Sequence, residues 1–371
     1  MKLYFIAGEA SGDLHGSNLI KQLKQKSSSI ECRGWGGDLM QNAGMHLVKH
    51  IEELAFMGFT EVVANLSTIL SNFKQCKQDI LSFQPDAVVL IDYPGFNLRM
   101  AEFCKKNGIK VFYYISPQIW AWKKNRVFKI KKYVDEMFVI LPFEKQFYAD
   151  YNFNVHYVGH PLLDAISQFK KQKPNSSFSA EKPIIALLPG SRSQEISVML
   201  PVMLNATKRF SDYQIIIAGA PTKDENFYQS FLQNYPNVSI VFNKTYELLS
   251  QATTALVTSG TATLETALFQ VPQVVCYKGG KISYHIAKRL IKVNYISLVN
   301  LILNKEAVKE LIQNDFNEKK LKEELLAILP NGDKRKSVLE NYQQLIKLLG
   351  KGGASENVAN LMLKTLTKAS A

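Results

Sequence analysis

The sequence predicts an α/β protein built from two Rossmann-like domains that face a cleft. Short apolar runs alternate with helical patterns along the whole chain, which is typical of parallel sheets covered by helices. A polar stretch near the middle separates two such series. The 371 residues suit two domains of about 150 to 200 residues each better than one core. Because open α/β sheets bind ligands at the carboxyl ends of their strands, two such domains would place a cleft between them.

The predicted strands are short and mostly apolar, as expected of parallel strands buried on both faces. The runs in the first half span residues 3–7, 87–91, 111–115 and 137–141. Those in the second half span residues 184–188, 214–218, 238–242, 255–257 and 273–277. The stretch 168–179 is polar and contains Pro174, so it marks the linker. We therefore predict domains at 1–170 and 182–345, followed by a helical segment at 346–371 that packs on the first domain or on a partner chain.

Composition limits the functional class. Lys and Arg number 45 against 32 Asp and Glu, and the net charge of +13 favours an anionic partner: nucleic acid, phosphorylated metabolites or an anionic lipid surface. The cysteines are widely spaced and the histidines show no metal-ligand spacing, so we expect reduced thiols of a cytosolic protein and no zinc site. The N-terminal apolar stretch is too short for a signal sequence, and no run reaches the ~18 residues of a spanning helix. Any membrane contact is therefore expected to be peripheral.

Two loops of the second half each follow a predicted strand and open a helix. Their candidate nucleotide-binding residues are Gly190, Ser191, Arg192, Ser259, Gly260, Thr261, Ala262, Thr263 and Glu265. Small residues let the backbone approach a ligand, and helix N-terminal N–H groups suit an anion. Arg192 adds a fork of donors, and Glu265 can accept from sugar hydroxyls. Together the loops predict a nucleotide diphosphate bound without a metal.

Asp92 is the candidate general base of the first half. It lies where the predicted strand 87–91 ends, and Pro94 and Gly95 follow it. A carboxylate at such a turn projects toward the expected cleft, where burial raises its pKa toward that of a base. The alternative is a helix cap, which strand-end carboxylates also form. We favour the base.

The turn at residues 8–13 joins the first predicted strand to a helix. It does not fit the dinucleotide fingerprint, because Ala10 stands where G-x-G-x-x-G requires glycine. A tight turn capped by Ser11 or Asp13 explains the segment equally well.

Two further segments of the first half can be interpreted in more than one way. Apolar residues between Phe59 and Phe73 recur at helical spacing, which is typical of a core-facing helix and also of an exposed patch that enters a membrane interface. Trp120 and Trp122 precede a cationic stretch at residues 123–132, which suits nucleic acid, a phosphorylated lipid headgroup or a solvated helix face. Composition alone does not separate these alternatives.

Eight motifs, in the same order, resemble those of lipid-A-disaccharide synthases, the bacterial glycosyltransferases that join two acylated glucosamines. They lie at residues 7–13, 55–58, 91–94, 116–122, 141–144, 188–192, 259–265 and 295–301 and cover essentially the whole chain. The resemblance implies the B-type (GT-B) glycosyltransferase fold. It also implies that the first domain binds the acceptor and its lipid chains, and that the second binds the UDP-sugar.

The resemblance further implies an inverting transfer in lipid A biosynthesis, from UDP-2,3-diacylglucosamine to 2,3-diacylglucosamine 1-phosphate, giving the β-1′,6-linked disaccharide 1-phosphate and UDP. By motif position, Asp92, Arg192 and Asn300 correspond to residues that the family needs for activity, and Glu9 to another site carboxylate. Gly95 stands where the family's strand-end motif has a second acidic residue. No metal or other cofactor is expected, because Arg192 and the N–H groups of the second loop can stabilise the leaving diphosphate.

Both implied substrates carry acyl chains, which gives the two ambiguous segments a shared purpose. The chain from Phe56 to Phe73 and the cations from Lys123 to Lys132 would dock on anionic membrane and admit a phosphorylated lipid. The implied location is the cytoplasmic face of the inner membrane. The resemblance also allows a homodimer, and we expect no nucleic acid partner. The alternatives are another UDP-sugar enzyme of this fold (a peptidoglycan N-acetylglucosaminyltransferase or a UDP-N-acetylglucosamine 2-epimerase) and a non-catalytic basic lipid- or RNA-binding protein.

Overall fold

Two parallel β-sheets organise the part of the chain that the computed structural model describes, residues 1–54, 66–172, 182–280 and 293–369. The chain divides into two units. The first contains Met1–Asp164 and Lys351–Ala371, and the second contains Ala165–Gly350. Residues 56–65 of the apolar segment and residues 173–179 of the predicted linker lie outside the described ranges.

The described strands of the first unit form a seven-stranded sheet in the order β3-β2-β1-β4-β5-β6-β7, and every pair is parallel. Their bounds are β1 Lys2–Ala7, β2 Glu31–Gly36, β3 Met45–His50, β4 Ala87–Ile91, β5 Lys110–Tyr114, β6 Glu136–Val139 and β7 His156–Tyr157. β1 lies between β2 and β4, so the strand order reverses between β1 and β4. The loops after these two strands therefore diverge and open a crevice at the carboxyl edge of the sheet.

Helices cover both faces of this sheet. They are α1 Ala10–Lys26, α2 Asp38–Asn42, α3 Leu66–Phe83, α4 Pro94–Lys106, α5 Arg126–Tyr133, α6 Glu144–Ala149 and, much later in the chain, α15 Ala354–Ala369, with a short 3-10 helix at Ile51–Leu54. The helix α7 Pro161–Lys171 begins in the first unit and continues into the second, to which its residues from Ala165 onward belong. Val88 and Leu90 of β4 point into the core beneath α3, α4 and α5. Val89 of the same strand points to the other face, beneath α1 and α15. This alternation is what buries a central parallel strand on both sides.

The helix α15 belongs to the first unit although it follows the whole second unit in sequence. Its Val358 and Met362 are fully buried in the same core cluster as Leu19 of α1. The carboxylate of Asp164 accepts a hydrogen bond from the backbone N–H of Ala354 at 3.0 Å and so caps the start of the helix. The first unit thus receives part of its core from a distant segment.

The second unit has a six-stranded parallel sheet, counted over its described strands, in the order β10-β9-β8-β11-β12-β13. The strands are β8 Ile184–Leu188, β9 Gln214–Gly219, β10 Val238–Phe242, β11 Ala252–Thr258, β12 Gln273–Tyr277 and β13 Lys309–Ile312. The helices are α8 Ser193–Thr207, α9 Glu225–Leu232, α10 Thr245–Gln251, α11 Thr261–Leu268, α12 Leu298–Leu303, α13 Glu318–Ile328 and α14 Arg335–Leu349. Here the strand order reverses between β8 and β11.

The predicted α/β architecture is confirmed, and each predicted strand is present within three residues of its expected bounds. The structure adds β2, β3, β7 and β13, which no apolar run marks in the sequence. β3, β7 and β13 lie at sheet edges, where one side of the strand is not covered, so polar residues are tolerated. Within the described ranges, the helices include none that is both long enough and apolar enough to cross a bilayer.

Candidate functional site

The two nucleotide-loop candidates meet at the reversal point of the second sheet. β8 and β11 are direct neighbours, with Leu188 paired to Val257, so the loops that follow them emerge side by side at the carboxyl edge. From β8 the sheet continues to β9, and from β11 it continues to β12. Ligands of open α/β sheets bind at this kind of position.

These loops line a cavity of about 490 Å³. Its walls are formed by Leu188, Gly190, Ser191, Arg192, Glu195, Ala218, Gly219, Ala220, Pro221, Thr245, Thr258, Ser259, Gly260, Thr261, Ala262 and Glu265. The volume is within the range of small-molecule sites. The structure therefore brings together the predicted nucleotide-binding residues in one wall, with the exception of Thr263. That side chain is fully buried, and its hydroxyl donates to the carbonyl of Gly260 at 2.8 Å.

The start of α11 supplies backbone donors to this cavity. The first N–H groups of a helix have no acceptor within it, and at Thr261 and Ala262 these groups belong to residues of the cavity wall. The N–H of Thr263 is already used, because it donates to the carbonyl of Gly260 at 3.1 Å. The space where a side chain of Gly260 would begin is open, with no atom within 4 Å. An anion can approach the backbone closely at this edge.

The loop after β8 contributes glycine geometry and a cation. Gly190 has φ +109°, a left-handed value that favours glycine, and a Cβ there would lie 2.8 Å from Oε2 of Glu195. Arg192 precedes α8 with 72% of its side chain exposed, and its Nη1 lies 4.0 Å from Oε1 of Glu195. Exposed pairs of this kind contribute little to stability, so the guanidinium is available to a bound phosphate.

Two polar side chains of this site have no signal in the sequence. The hydroxyl of Tyr246 donates to Oε1 of Glu265 at 2.9 Å. Burial raises the pKa of Glu265, while this hydrogen bond lowers it. Thr258, the last residue of β11, is buried in the cavity wall, and its hydroxyl has no hydrogen-bond partner among the described residues. A buried hydroxyl without a partner is costly, and a bound ligand can satisfy it.

At the corresponding point of the first sheet, the loops after β1 and β4 carry Glu9 and Asp92. Glu9 precedes α1 and is exposed. Gly8 beside it is required sterically, because a Cβ there would lie 2.4 Å from the ring of Tyr93. Gly95 offers no carboxylate, and the space where its side chain would begin is open. The second carboxylate that acts on Asp92 is instead Glu9, which belongs to the other loop.

Asp92 has an unusual backbone and a perturbed carboxyl group. Asp92 and Tyr93 have φ values of +43° and +48°, which non-glycine residues rarely adopt. The carbonyl of Asp92 accepts from Nδ2 of Asn97 at 2.8 Å and from the hydroxyl of Tyr113 at 2.5 Å, and its N–H donates to Tyr114 at 3.1 Å. Burial, and secondarily the charge of Glu9, raises the pKa of Asp92 to about 6. Strain held by several hydrogen bonds is common where a side chain has a functional task.

The turn at residues 8–13 has a structural role through Asp13. Its carboxylate accepts hydrogen bonds from the backbone N–H groups of Gly37 at 2.8 Å, Leu39 at 3.1 Å and Met40 at 3.0 Å. Asp13 therefore caps the start of α2 and not, as the capping alternative supposed, its own helix α1.

The motif segments 116–122 and 141–144 pack on each other inside the first unit. Glu144 is fully buried, burial raises its pKa to about 8, and its Oε2 accepts from the N–H of Leu141 at 3.0 Å. Ser116 Oγ lies 2.7 Å from the hydroxyl of Tyr148. This buried polar cluster fixes the chain that leads to Trp122, whose exposed ring lies 4.3 Å from Nζ of Lys123.

Asn300 is placed differently from the other predicted site residues. It is 0% exposed and does not line the cavity. Its Nδ2 donates to the carbonyl of Val308 and to Oε1 of Glu310, each at 2.9 Å. Its Oδ1 accepts from the N–H groups of Ala307 at 2.8 Å and Val308 at 2.9 Å. Protein groups thus use both ends of the amide, and the geometry indicates that Asn300 positions the chain around it.

Two parallel sheets with loop sites at their reversal points define the class: an α/β protein with the fold of GT-B glycosyltransferases and UDP-GlcNAc 2-epimerases. A calicheamicin glycosyltransferase matches with a TM-score of 0.65 at 14% identity, over 100% of this chain and 99% of that one. The UDP-GlcNAc 2-epimerase from Neisseria meningitidis, solved bound to UDP-GlcNAc, matches with a TM-score of 0.68 at 14% identity, over 98% of this chain and 100% of that one. At such identities the likeness shows the fold alone.

Sequence relatives identify the family. A family model described as lipid-A-disaccharide synthetase matches residues 3–364. The lipid-A-disaccharide synthase of Syntrophus aciditrophicus (strain SB) is 41% identical over 98% of this chain and 97% of that protein. The chain therefore belongs to the lipid-A-disaccharide synthase family, and it is a glycosyltransferase of lipid A biosynthesis. The resemblance stated from the motifs is confirmed.

Proposed function

We propose that this enzyme transfers the sugar of UDP-2,3-diacylglucosamine to 2,3-diacylglucosamine 1-phosphate, giving the β-1′,6-linked disaccharide 1-phosphate and UDP. The observation that carries the donor half is the 490 Å³ cavity in which Arg192, Glu265 and the start of α11 meet. It offers a cation and N–H donors for a diphosphate, and a carboxylate for ribose hydroxyls.

Asp92 takes the role of general base in this proposal. The acceptor's 6-hydroxyl oxygen attacks the anomeric carbon, its proton passes to the carboxylate of Asp92, and the bond from that carbon to the diphosphate oxygen breaks. Attack from the face opposite UDP inverts the configuration. A pKa raised to about 6 supports the role, since the group is then a stronger base and is still mostly ionised at neutral pH.

Arg192 and the free N–H groups at the start of α11 take the leaving-group role. The bond electrons leave with UDP, so negative charge grows on the diphosphate as the bond breaks. Donors that are already in place stabilise this charge without reorganisation. On this account the charge is balanced by protein groups, and we expect no metal requirement. Asn300 acts indirectly in this proposal, because its hydrogen bonds to Ala307, Val308 and Glu310 hold the surrounding segment in position.

A UDP-release assay tests the assignment of substrates. The enzyme is expected to release UDP from the diacylated donor only when the diacylated sugar phosphate is also present. Activity on UDP-N-acetylglucosamine but not on the acylated donor would favour a peptidoglycan-type transferase or an epimerase. If the protein binds lipid but releases no UDP under any condition, the assay refutes catalysis.

The unpartnered hydroxyl of Thr258 yields a prediction for the donor site. Thr258→Val keeps the shape of the side chain and removes a buried polar group that lacks a partner, so the melting temperature should stay unchanged or rise. If the hydroxyl bonds the nucleotide, UDP binding should weaken by about fivefold. Calorimetric titration with UDP and a thermal melt of the same samples measure both effects. Unchanged UDP affinity would remove Thr258 from the binding site.

We also propose that the first unit docks on anionic membrane through the helices α3 and α5. Leu70 of α3 is 64% exposed and Phe128 of α5 is 63% exposed. Both helices lie on one face of the sheet, with α4 in contact with each. The exposed cations of residues 123–132 lie on the same segment as Phe128. Phe73, by contrast, is core: its ring stacks on Phe96 at 4.3 Å, so the predicted apolar stripe is partly buried and partly exposed.

The docking surface is tested by the double variant Leu70→Ser with Phe128→Ser. We expect the affinity for vesicles that contain anionic phospholipid to fall by at least about tenfold, because two apolar side chains no longer enter the interface. Both residues are exposed, so the melting temperature should hold. The matched control is Leu326→Ser with Leu348→Ser, two exposed leucines of the second unit. Equal vesicle binding by the two double variants would refute this surface.

A further inference from the structure

Tyr246 lies behind the nucleotide cavity in an aromatic cluster. It is the second residue of α10, and its ring meets those of Phe169 at 5.5 Å and Phe269 at 5.2 Å between centroids. Phe169 and Phe269 also contact each other at 5.8 Å. The two phenylalanines therefore fix the ring of Tyr246 by packing alone, and its hydroxyl has a defined direction.

The hydroxyl of Tyr246 is directed at Glu265. It donates to Oε1 at 2.9 Å, whereas Oε2 has no hydrogen-bond donor among the residues that the structure describes. Glu265 is half-buried and lines the cavity. A carboxylate in such a place needs donors to offset its lost hydration. One of its oxygens is thus satisfied by the protein, and the other remains for a ligand.

We propose that Tyr246 is a positioning residue for nucleotide recognition, which holds one oxygen of Glu265 so that the other accepts from the ribose hydroxyls of a uridine diphosphate. The inference rests on the proposed donor site. It adds a residue that does not touch the ligand and that no motif of the chain marks. An unheld glutamate would have to order its side chain during binding, and the hydrogen bond to Tyr246 removes much of that entropic cost.

Tyr246→Phe separates this role from packing. The variant keeps the ring between Phe169 and Phe269 and removes only the hydroxyl. A matched control is Tyr235→Phe in the same unit, which removes a hydroxyl that donates to Oδ1 of Asn205 away from the nucleotide cavity. Both variants should fold with nearly wild-type melting temperatures.

The experiment compares the Kd of UDP with that of 2′,3′-dideoxy-UDP by calorimetry. The wild-type enzyme should bind UDP at least about tenfold more tightly, since only UDP offers hydroxyls to the carboxylate. Glu265→Ala should abolish this preference. Tyr246→Phe should weaken UDP binding by about fivefold and leave dideoxy-UDP binding unchanged, whereas Tyr235→Phe should change neither. In turnover assays the same variant should raise KM for the donor more than it lowers kcat.

The outcomes distinguish the inference from the proposal on which it rests. If Glu265→Ala abolishes the preference but Tyr246→Phe retains it in full, the positioning role is wrong and the donor site stands. If Tyr246→Phe weakens both ligands equally, the tyrosine acts on the shape of the cavity and not through the ribose, and the inference is also wrong. If the wild-type enzyme binds both ligands equally, the ribose contact of Glu265 fails and the role of Tyr246 fails with it.

Discussion

Asp92→Asn is expected to lower turnover by at least about 100-fold while UDP binding stays intact, because asparagine has a similar shape but cannot take the acceptor's proton. Turnover and UDP affinity are measured on the same preparation. Asp86→Asn serves as the control, since Asp86 lies at the opposite end of the same strand and its carboxylate accepts from the N–H of Lys2 at 2.7 Å. Turnover near the wild-type value in Asp92→Asn would exclude the base role.

The pH dependence gives an independent view of the same group. The base must be ionised, so wild-type turnover should fall as the pH drops through about 6, the pKa to which burial and the charge of Glu9 raise Asp92. Glu9→Gln removes the neighbouring negative charge, which lowers the pKa of Asp92. The acid limb of the profile should then move to lower pH, by less than the full shift because burial remains. An acid limb that does not move would assign the titration to another group.

Asn300→Ala is expected to unfold the second unit at a markedly lower temperature. The change removes four side-chain hydrogen bonds. It takes away the acceptor of the Val308 N–H, whereas the N–H of Ala307 still donates to the carbonyl of Lys305 at 2.9 Å. Losses of this type cost about 3 to 5 kcal/mol, which corresponds to a drop in melting temperature of about 10 °C for a unit of this size. Activity should be lost in step with folding.

A graded control for Asn300 exists in the same unit. Asn317 caps α13, where its Oδ1 accepts from the N–H of Lys320 at 3.0 Å at an exposed position, so Asn317→Ala should cost only about 1 kcal/mol. Thermal melts of both variants, with UDP titrations below the transition, test the positioning role. A folded Asn300→Ala protein of normal melting temperature that no longer binds UDP would contradict the positioning role and indicate a direct contact with the nucleotide.

The sequence predicts most of the central strands, because their apolar runs depend on burial from two sides, but it misses the central strand β2 and it does predict the edge strand β10. The edge strands β3, β7 and β13 escape this reasoning, since one exposed side permits polar residues. The nucleotide loops are also predictable, because glycine and small residues at a strand end leave a local signature. Their assembly into one cavity wall follows from β8 and β11 being neighbours, which no local pattern reveals.

Contacts between side chains that are far apart in the sequence cannot be predicted from the sequence alone. Tyr246 is nineteen positions from Glu265, and no sequence pattern between the two residues predicts their hydrogen bond of 2.9 Å. Asn300 shows the opposite case: its motif marks it as important, but only its four hydrogen bonds reveal that it holds the chain. A motif thus identifies a residue without saying whether it touches a ligand.

The division of the first unit between Met1–Asp164 and Lys351–Ala371 has a consequence for synthesis on the ribosome. The apolar side chains of α1 that contact α15 stay uncovered until the intervening unit has been translated. At roughly 5 to 20 residues per second, that interval lasts about ten seconds or more. The second unit can therefore complete its fold while the apolar face of α1 in the first unit is still exposed. Chaperones that recognise nascent apolar segments should engage the amino-terminal part of the chain for longer than the second unit.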